Sequence, residues 1–193
     1  MPRSPKLLAF AGSAREQSLN KKLARAAGAI AEAAGAEVTF ADLRDYPMPH
    51  FDEDDEAARG VPAEVTAFRA LMKDADGFII ASPEYNGAPT SMLKNVIDWG
   101  SRPADGEPML ACFQQKTALL LAASPGGLGG IRGLPMLRTI LSGIGVHVLS
   151  GDVAVPKAHE AFDDSGAVVN DTTKQNLERS VGTLVEATRK LVN

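Results

Sequence analysis

Five short apolar runs, each followed by a stretch of helical periodicity, impose one architecture on this chain of 193 residues. Lys6–Ala11 is apolar and stops at Gly12-Ser13, as a buried strand does. Over residues 18–34, Leu19, Leu23, Ala26, Ala27 and Ile30 recur at helical spacing, with Lys and Arg on the opposite face and Gly35 as a stop signal. A second strand is expected at Glu37–Ala41, a third at 77–82, a fourth at Thr117–Ala123 and a fifth at 146–149, continuing toward Val155. Helices are expected after Pro62, over 90–99, over 134–142 and over Asp171–Val192. Strands alternating with helices require a parallel sheet with right-handed crossovers. The fourth run is the most continuously apolar, which places it centrally, covered on both faces.

Three of these strands end in unusual loops: residues 12–20, 83–87 and 125–133. In an open parallel sheet a ligand sits beyond the carboxyl ends of the strands, and all three loops lie there. The first, Gly12-Ser13-Ala14-Arg15-Glu16-Gln17-Ser18-Leu19-Asn20, opens a helix. A helix N-terminus offers free N–H groups and partial positive charge, which suits a phosphate. Ser13, Ser18 and Asn20 can add neutral donors and Arg15 a charge-assisted one. The same residues also suit a plain turn with Ser18 as helix cap, and spacing alone does not separate the two. The loop lacks the Gly-Lys-Ser/Thr ending of nucleotide hydrolases and the Gly-x-Gly-x-x-Gly dinucleotide pattern. In the second loop, Pro83-Glu84-Tyr85-Asn86-Gly87, the proline fixes chain direction and leaves the following N–H groups to face a ligand edge, though a simple turn or a subunit contact also fits. The third, Ser124-Pro125-Gly126-Gly127-Leu128-Gly129-Gly130, permits close approach of backbone to a flat ring.

With these loops in view, the chain resembles the NADPH-dependent FMN reductases, a flavodoxin-like family of flavin, quinone, azo-dye and chromate reductases. The resemblance rests on Gly-Ser-x-Arg-x-x-Ser-x-Asn at 12–20, on Pro-Glu-Tyr-Asn-Gly followed by Leu-Lys-Asn-x-x-Asp-Trp within 83–99, and on Gly-Gly-x-Gly-Gly-x-Arg at 126–132. It implies an α/β, flavodoxin-like fold: a five-stranded parallel sheet in the order 2-1-3-4-5 with helices on both faces. It implies bound FMN with NAD(P)H as co-substrate, the phosphate held by Ser13, Arg15, Ser18, Leu19 and Asn20. Pro83, Glu84, Tyr85 and Asn86 would line the isoalloxazine ring, largely through backbone, and Ser124, Gly126 and Gly127 would close over its other side. The reaction would pass a hydride from NAD(P)H through the flavin to a small acceptor (a flavin, quinone, azo compound or metal oxyanion). No side chain is needed as acid or base, because the cofactor carries the chemistry. The resemblance also implies a homodimer or homotetramer, with Tyr85 or Arg102 near a neighbouring subunit. The chain departs from the family pattern at Ala14, at Glu16-Gln17 and at Ala88-Pro89-Thr90-Ser91.

Bulk properties narrow the alternatives. A composition of 45% hydrophobic and 23% charged residues fits one globular domain spanning 1–193. A net charge of −4 without any basic run gives nucleic acid nothing to bind, and it falls short of the heavily acidic surface of an electron carrier that docks on basic partners. A flavodoxin-type carrier and an FMN-based redox sensor without turnover are the rival functions. The single Cys112 excludes an internal disulfide and, with no signal-peptide pattern and no apolar run near about 20 residues, points to a cytoplasmic protein without a membrane partner. Asp52-Glu53-Asp54-Asp55-Glu56 fits a solvated loop or a helix start better than a cation site, since calcium loops need regular spacing with a turn glycine. His50, His147 and His159 show no ligand spacing, so no metal is expected.

Overall fold

The computed structural model describes residues 3–104, 106–163 and 166–192. A parallel sheet forms the middle layer, in the order β2 (Glu37–Ala41), β1 (Lys6–Ala11), β3 (Gly77–Ala81), β6 (Thr117–Ala123), β7 (His147–Val148), with β8 (Val153–Val155) also on β6. The short β4 (Glu84–Tyr85) and β5 (Ala88–Pro89) form a separate antiparallel hairpin. This is the expected five-position, flavodoxin-like order, with the fifth position shared between two short strands. β7 pairs with the start of β6 and β8 with its end.

The break between them coincides with contacts from two different helices of the chain. Gly151 has φ +93, and a Cβ there would lie 3.0 Å from Ser180 Oγ. Arg138 donates to the carbonyls of Val148 at 2.8 Å and Leu149 at 2.7 Å, and to Asp152 at 2.5 Å. The strand's carbonyls there are spent on a side chain instead of a neighbouring strand.

Strand alternation divides the interior into two cores. Leu7, Ala9, Ala11, Ile79, Ala81, Leu119 and Leu121 face α1 (Leu19–Ala33) and α6 (Asp171–Val192). Leu8, Phe10, Phe78, Ile80, Ala118 and Leu120 face α3 (Ala63–Asp74), α4 (Ser91–Ser101) and α5 (Gly133–Gly143). All seven residues of β6 are buried, as its unbroken apolar run requires. Small residues bring α1 close to the sheet: a Cβ on Gly28 would sit 3.3 Å from Val38 Cγ1. Gly35, at φ +87, ends that helix.

The acidic run is the start of α2 (Glu53–Arg59). Asp52 caps it by accepting from the N–H groups of Asp54 and Asp55, and first-turn acids favour a helix N-terminus. The segment between β2 and α3 is thereby ordered, and it is pinned to α4 where Asn95 Nδ2 and Trp99 Nε1 each donate to Pro49 O at 2.8 Å.

Candidate active site

The three loops leave the carboxyl ends of β1, β3 and β6, and side chains tie each to the others. Between the first and second, Thr90 caps α4 by accepting from Leu93 N–H and donates to Gly12 O at 2.8 Å. Gly12 leaves no room there: a Cβ would lie 2.9 Å from Leu93 Cβ. Between the first and third, Asn20 is buried in the first turn of α1, where its Nδ2 donates to Ala123 O at 2.8 Å and its Oδ1 accepts from Ala123 N at 2.9 Å. The carboxamide thus supplies both ladder bonds that β6 lacks beyond the end of β3. Between the second and third, Arg132 holds the Glu84 carboxylate from the N-terminus of α5.

These ties commit the side chains of two expected site residues to other parts of the protein. The Asn20 side chain is committed to Ala123, so only its backbone N–H is left to offer a ligand. The Glu84 side chain is held by Arg132. Burial and the Arg132 hydrogen bonds oppose each other at Glu84; the Arg132 bond is the larger, and the carboxyl is held below its ordinary range.

The first loop retains a donor set. Ser18 caps α1 through a weak 3.4 Å bond accepted from Lys21 N–H. As first-turn residues, Leu19 and Asn20 have no intrahelical acceptor for their N–H groups. Ser13 Oγ accepts from Arg15 N–H at 3.3 Å. The Arg15 side chain is exposed and, among the described residues, its guanidinium makes no hydrogen bond or ion pair. Lys21 is not part of this set. Its ammonium is buried against Asp42, at 2.6 Å from Oδ1. Burial alone would raise the Asp42 carboxyl, but the Lys21 bond, the Arg44 N–H and the two cations outweigh it and lower the carboxyl below its ordinary value. Arg44 also donates to Ala14 O at 3.2 Å, fixing the loop from the side.

The second loop is a two-residue hairpin. Asn86 and Gly87 have φ +53 and +80, the pair of positive values that favours Asn-Gly. The sequence predicts a turn here, and the structure adds the two short strands that flank it. Tyr85 is 59% exposed at its edge. In the third loop the glycines divide. A Cβ on Gly129 would lie 2.7 Å from backbone atoms of Val155 and Pro156, so packing dictates that glycine. A Cβ on Gly127 would meet nothing within 4 Å, so Gly127 borders open space. Ser124 Oγ is turned inward, accepting from Gly126 N at 3.1 Å.

A half-open cavity of about 440 Å³ adjoins the first loop at Ala14 and continues past Tyr46, Met48, His50 and Met92. It meets only the flank of the site, so the convergence of the three loops locates the chemistry better than this concavity does.

The family model described as NADPH-dependent FMN reductase matches residues 5–160. The chain belongs to that family. It is 35% identical to a probable NADPH:quinone oxidoreductase 2 of Oryza sativa subsp. japonica over 92% of this chain and 85% of that one. It is 34% identical to an NAD(P)H-dependent FMN reductase of Pseudomonas aeruginosa over 96% of each. Among solved structures it is similar to the flavoenzyme FerB, an NAD(P)H:(acceptor) oxidoreductase of Paracoccus denitrificans, with TM-score 0.82, 27% identity and coverage of 96% of this chain and 98% of that one. FMN is accordingly the cofactor and NAD(P)H the co-substrate of an oxidoreductase, and both rival functions give way. The donors fit such a cofactor: a helix N-terminus, two hydroxyls and an unpaired guanidinium suit a phosphate monoester, and Gly127 leaves space where a ring would approach. Among the described residues no helix is long and apolar enough to cross a membrane. The sequence reading missed Thr90 as a loop tie. Its signal was a threonine directly ahead of a helical pattern.

Proposed function

We propose that the FMN phosphate is held by Ser13, Arg15, Ser18 and the N–H groups of Leu19 and Asn20. Backbone of Pro83, Glu84, Tyr85 and Asn86 lines one side of the ring, and Ser124, Gly126 and Gly127 the other. The chemistry the cofactor supplies is acceptance of a hydride from NAD(P)H and delivery of the electron pair to a second substrate. The protein's part is to anchor the phosphate, orient the ring and leave one ring face open. The observation that carries this reading is the Arg15 guanidinium, without a partner among the described residues, beside the first turn of α1 at the sheet end where the other two loops converge. A quinone is the acceptor class we favour, because relatives from plants and bacteria bear that name.

We further take residues 1–193 as one domain, supported by the single main sheet that runs through both cores. A homodimer or homotetramer is supported by the large exposed apolar side chains Tyr85, Leu128 and Ile131 on the second and third loops. A reducing, cytoplasmic location is supported by the lone buried Cys112.

The direct test is the visible spectrum of the purified protein, followed by steady-state NADPH oxidation with a quinone. Parallel double-reciprocal plots are expected, since one substrate leaves before the other binds. Arg15→Ala removes a charge-assisted bond worth about 1.5–3 kcal/mol, so FMN affinity should fall about 10- to 100-fold while riboflavin affinity holds. Equal FMN content in variant and parent would refute the phosphate assignment.

A further inference from the structure

The tie between the second and third loops is more than packing. Only 8% of the Glu84 side chain is exposed. Arg132 grips its carboxylate with three donors: the backbone N–H at 3.0 Å, Nε at 2.7 Å and Nη2 at 2.5 Å. The two elements also touch through backbone, since a Cβ on Gly133 would lie 3.1 Å from Ala88 O, and one on Gly130 would lie 3.7 Å from Glu84 Cβ. Glu84 begins the hairpin and Arg132 ends the glycine-rich loop. The pair therefore fixes the spacing of the two loops that, in the reading above, hold the flavin ring.

The pair also has an electrostatic consequence. A carboxylate beside the ring, left bare, opposes the gain of electron density there. Paired with a guanidinium, it is close to neutral. Arg132 side-chain exposure is 64%, so stability alone gives little reason for this ion pair.

We infer that Arg132 is a positioning residue for the flavin reaction, holding the hairpin against the glycine-rich loop and cancelling the Glu84 charge beside the ring. This rests on the ring lying between those two loops.

The test compares parent, Arg132→Met, Arg132→Lys and Glu84→Gln for riboflavin and FMN affinity, and for the midpoint potential of bound flavin. Arg132→Met should weaken riboflavin and FMN by the same factor, about tenfold, and lower the potential. Glu84→Gln leaves the guanidinium uncompensated and should raise the potential. Arg132→Lys should recover the potential of the parent but only part of the affinity, because one ammonium does not reproduce a planar fork. A purely structural tie would shift both single variants the same way, or not at all. Unchanged potentials, shifts of one sign, or a loss confined to FMN would overturn the inference. If Arg132→Met fails to fold, the sign of the Glu84→Gln shift decides. A parent protein that binds neither flavin would instead remove the reading beneath it.

Discussion

Asn20→Ala separates a structural brace from a phosphate ligand. The Asn20 side chain makes two bonds to Ala123, 103 residues away, at 2.8 and 2.9 Å, and both are buried. Truncation leaves the N–H and C=O of a fully covered strand without partners. Each such orphan costs about 1–3 kcal/mol, so the pair costs roughly 2–6 kcal/mol where no water enters. Against a typical total stability of about 5–15 kcal/mol this is a large fraction. At about 2–4 °C per kcal/mol for a chain of this size, melting should drop by roughly 4–24 °C. The assay is thermal and urea unfolding of flavin-free protein, where no phosphate contributes. Asn20→Asp sharpens it. The carboxylate still accepts from Ala123 N–H but sets its second oxygen against Ala123 C=O, so at neutral pH it should destabilise at least as much as alanine. Protonation restores a donor, so the aspartate variant should improve relative to the alanine variant as the pH is lowered. A flavin-free loss below about 1 kcal/mol, with the effect confined to FMN affinity, would show that Asn20 is a ligand and not a brace.

Three further variants have outcomes set by the same geometry. The Asp42 carboxyl is held below its ordinary value in the folded protein, so its ion pair with Lys21 contributes fully above about pH 3.9 and is lost as pH falls below that toward the lowered value. Asp42→Asn, which strands the buried Lys21 ammonium, should therefore cost about 2–4 kcal/mol at pH 7. The difference from parent should shrink in acid, and a difference that grows there would contradict the sign. Gly129→Ala combines φ +63 with a 2.7 Å backbone clash and should prevent the native third loop, lowering melting sharply. Gly127→Ala meets nothing within 4 Å and should leave flavin-free melting within about 0.5 kcal/mol of parent while weakening flavin binding. Equal melting for the two variants would remove the distinction between packed and ligand-facing glycines.

What the sequence made legible was local. Lys6–Ala11 and Thr117–Ala123 fall where apolar runs end at Gly or Ser, Glu37–Ala41 where Val38 and Phe40 alternate with polar neighbours, and Asp171–Val192 where the helical period holds. The donors of residues 12–20 were visible for the same reason, since an N-cap and a free first turn are properties of consecutive residues. What stayed hidden depends on residues far apart in the chain. Nothing around Asn20 shows that its carboxamide will replace a missing strand partner at Ala123, and nothing around Glu84 shows that Arg132 will claim it. The split of the last strand is equally remote in origin, since it needs Arg138 and Ser180 from two different helices.

The hidden contacts share one property. Thr90 to Gly12, Asn20 to Ala123 and Glu84 to Arg132 each join segments at the ends of two different strands, and together they link all three loop regions. A polar residue in a ligand-binding loop can face the ligand or face its neighbouring loop, and local spacing is the same for both. Residue type therefore identifies the site, while long-range partners decide the division of labour within it. In the proposed site Ser13, Ser18 and Arg15 serve the ligand, while the side chains of Asn20, Thr90 and Glu84 are bonded between separate segments of the chain. Preorganised loops bind without first losing their own freedom. The three ties should thus affect flavin affinity even though none of those side chains need touch the phosphate.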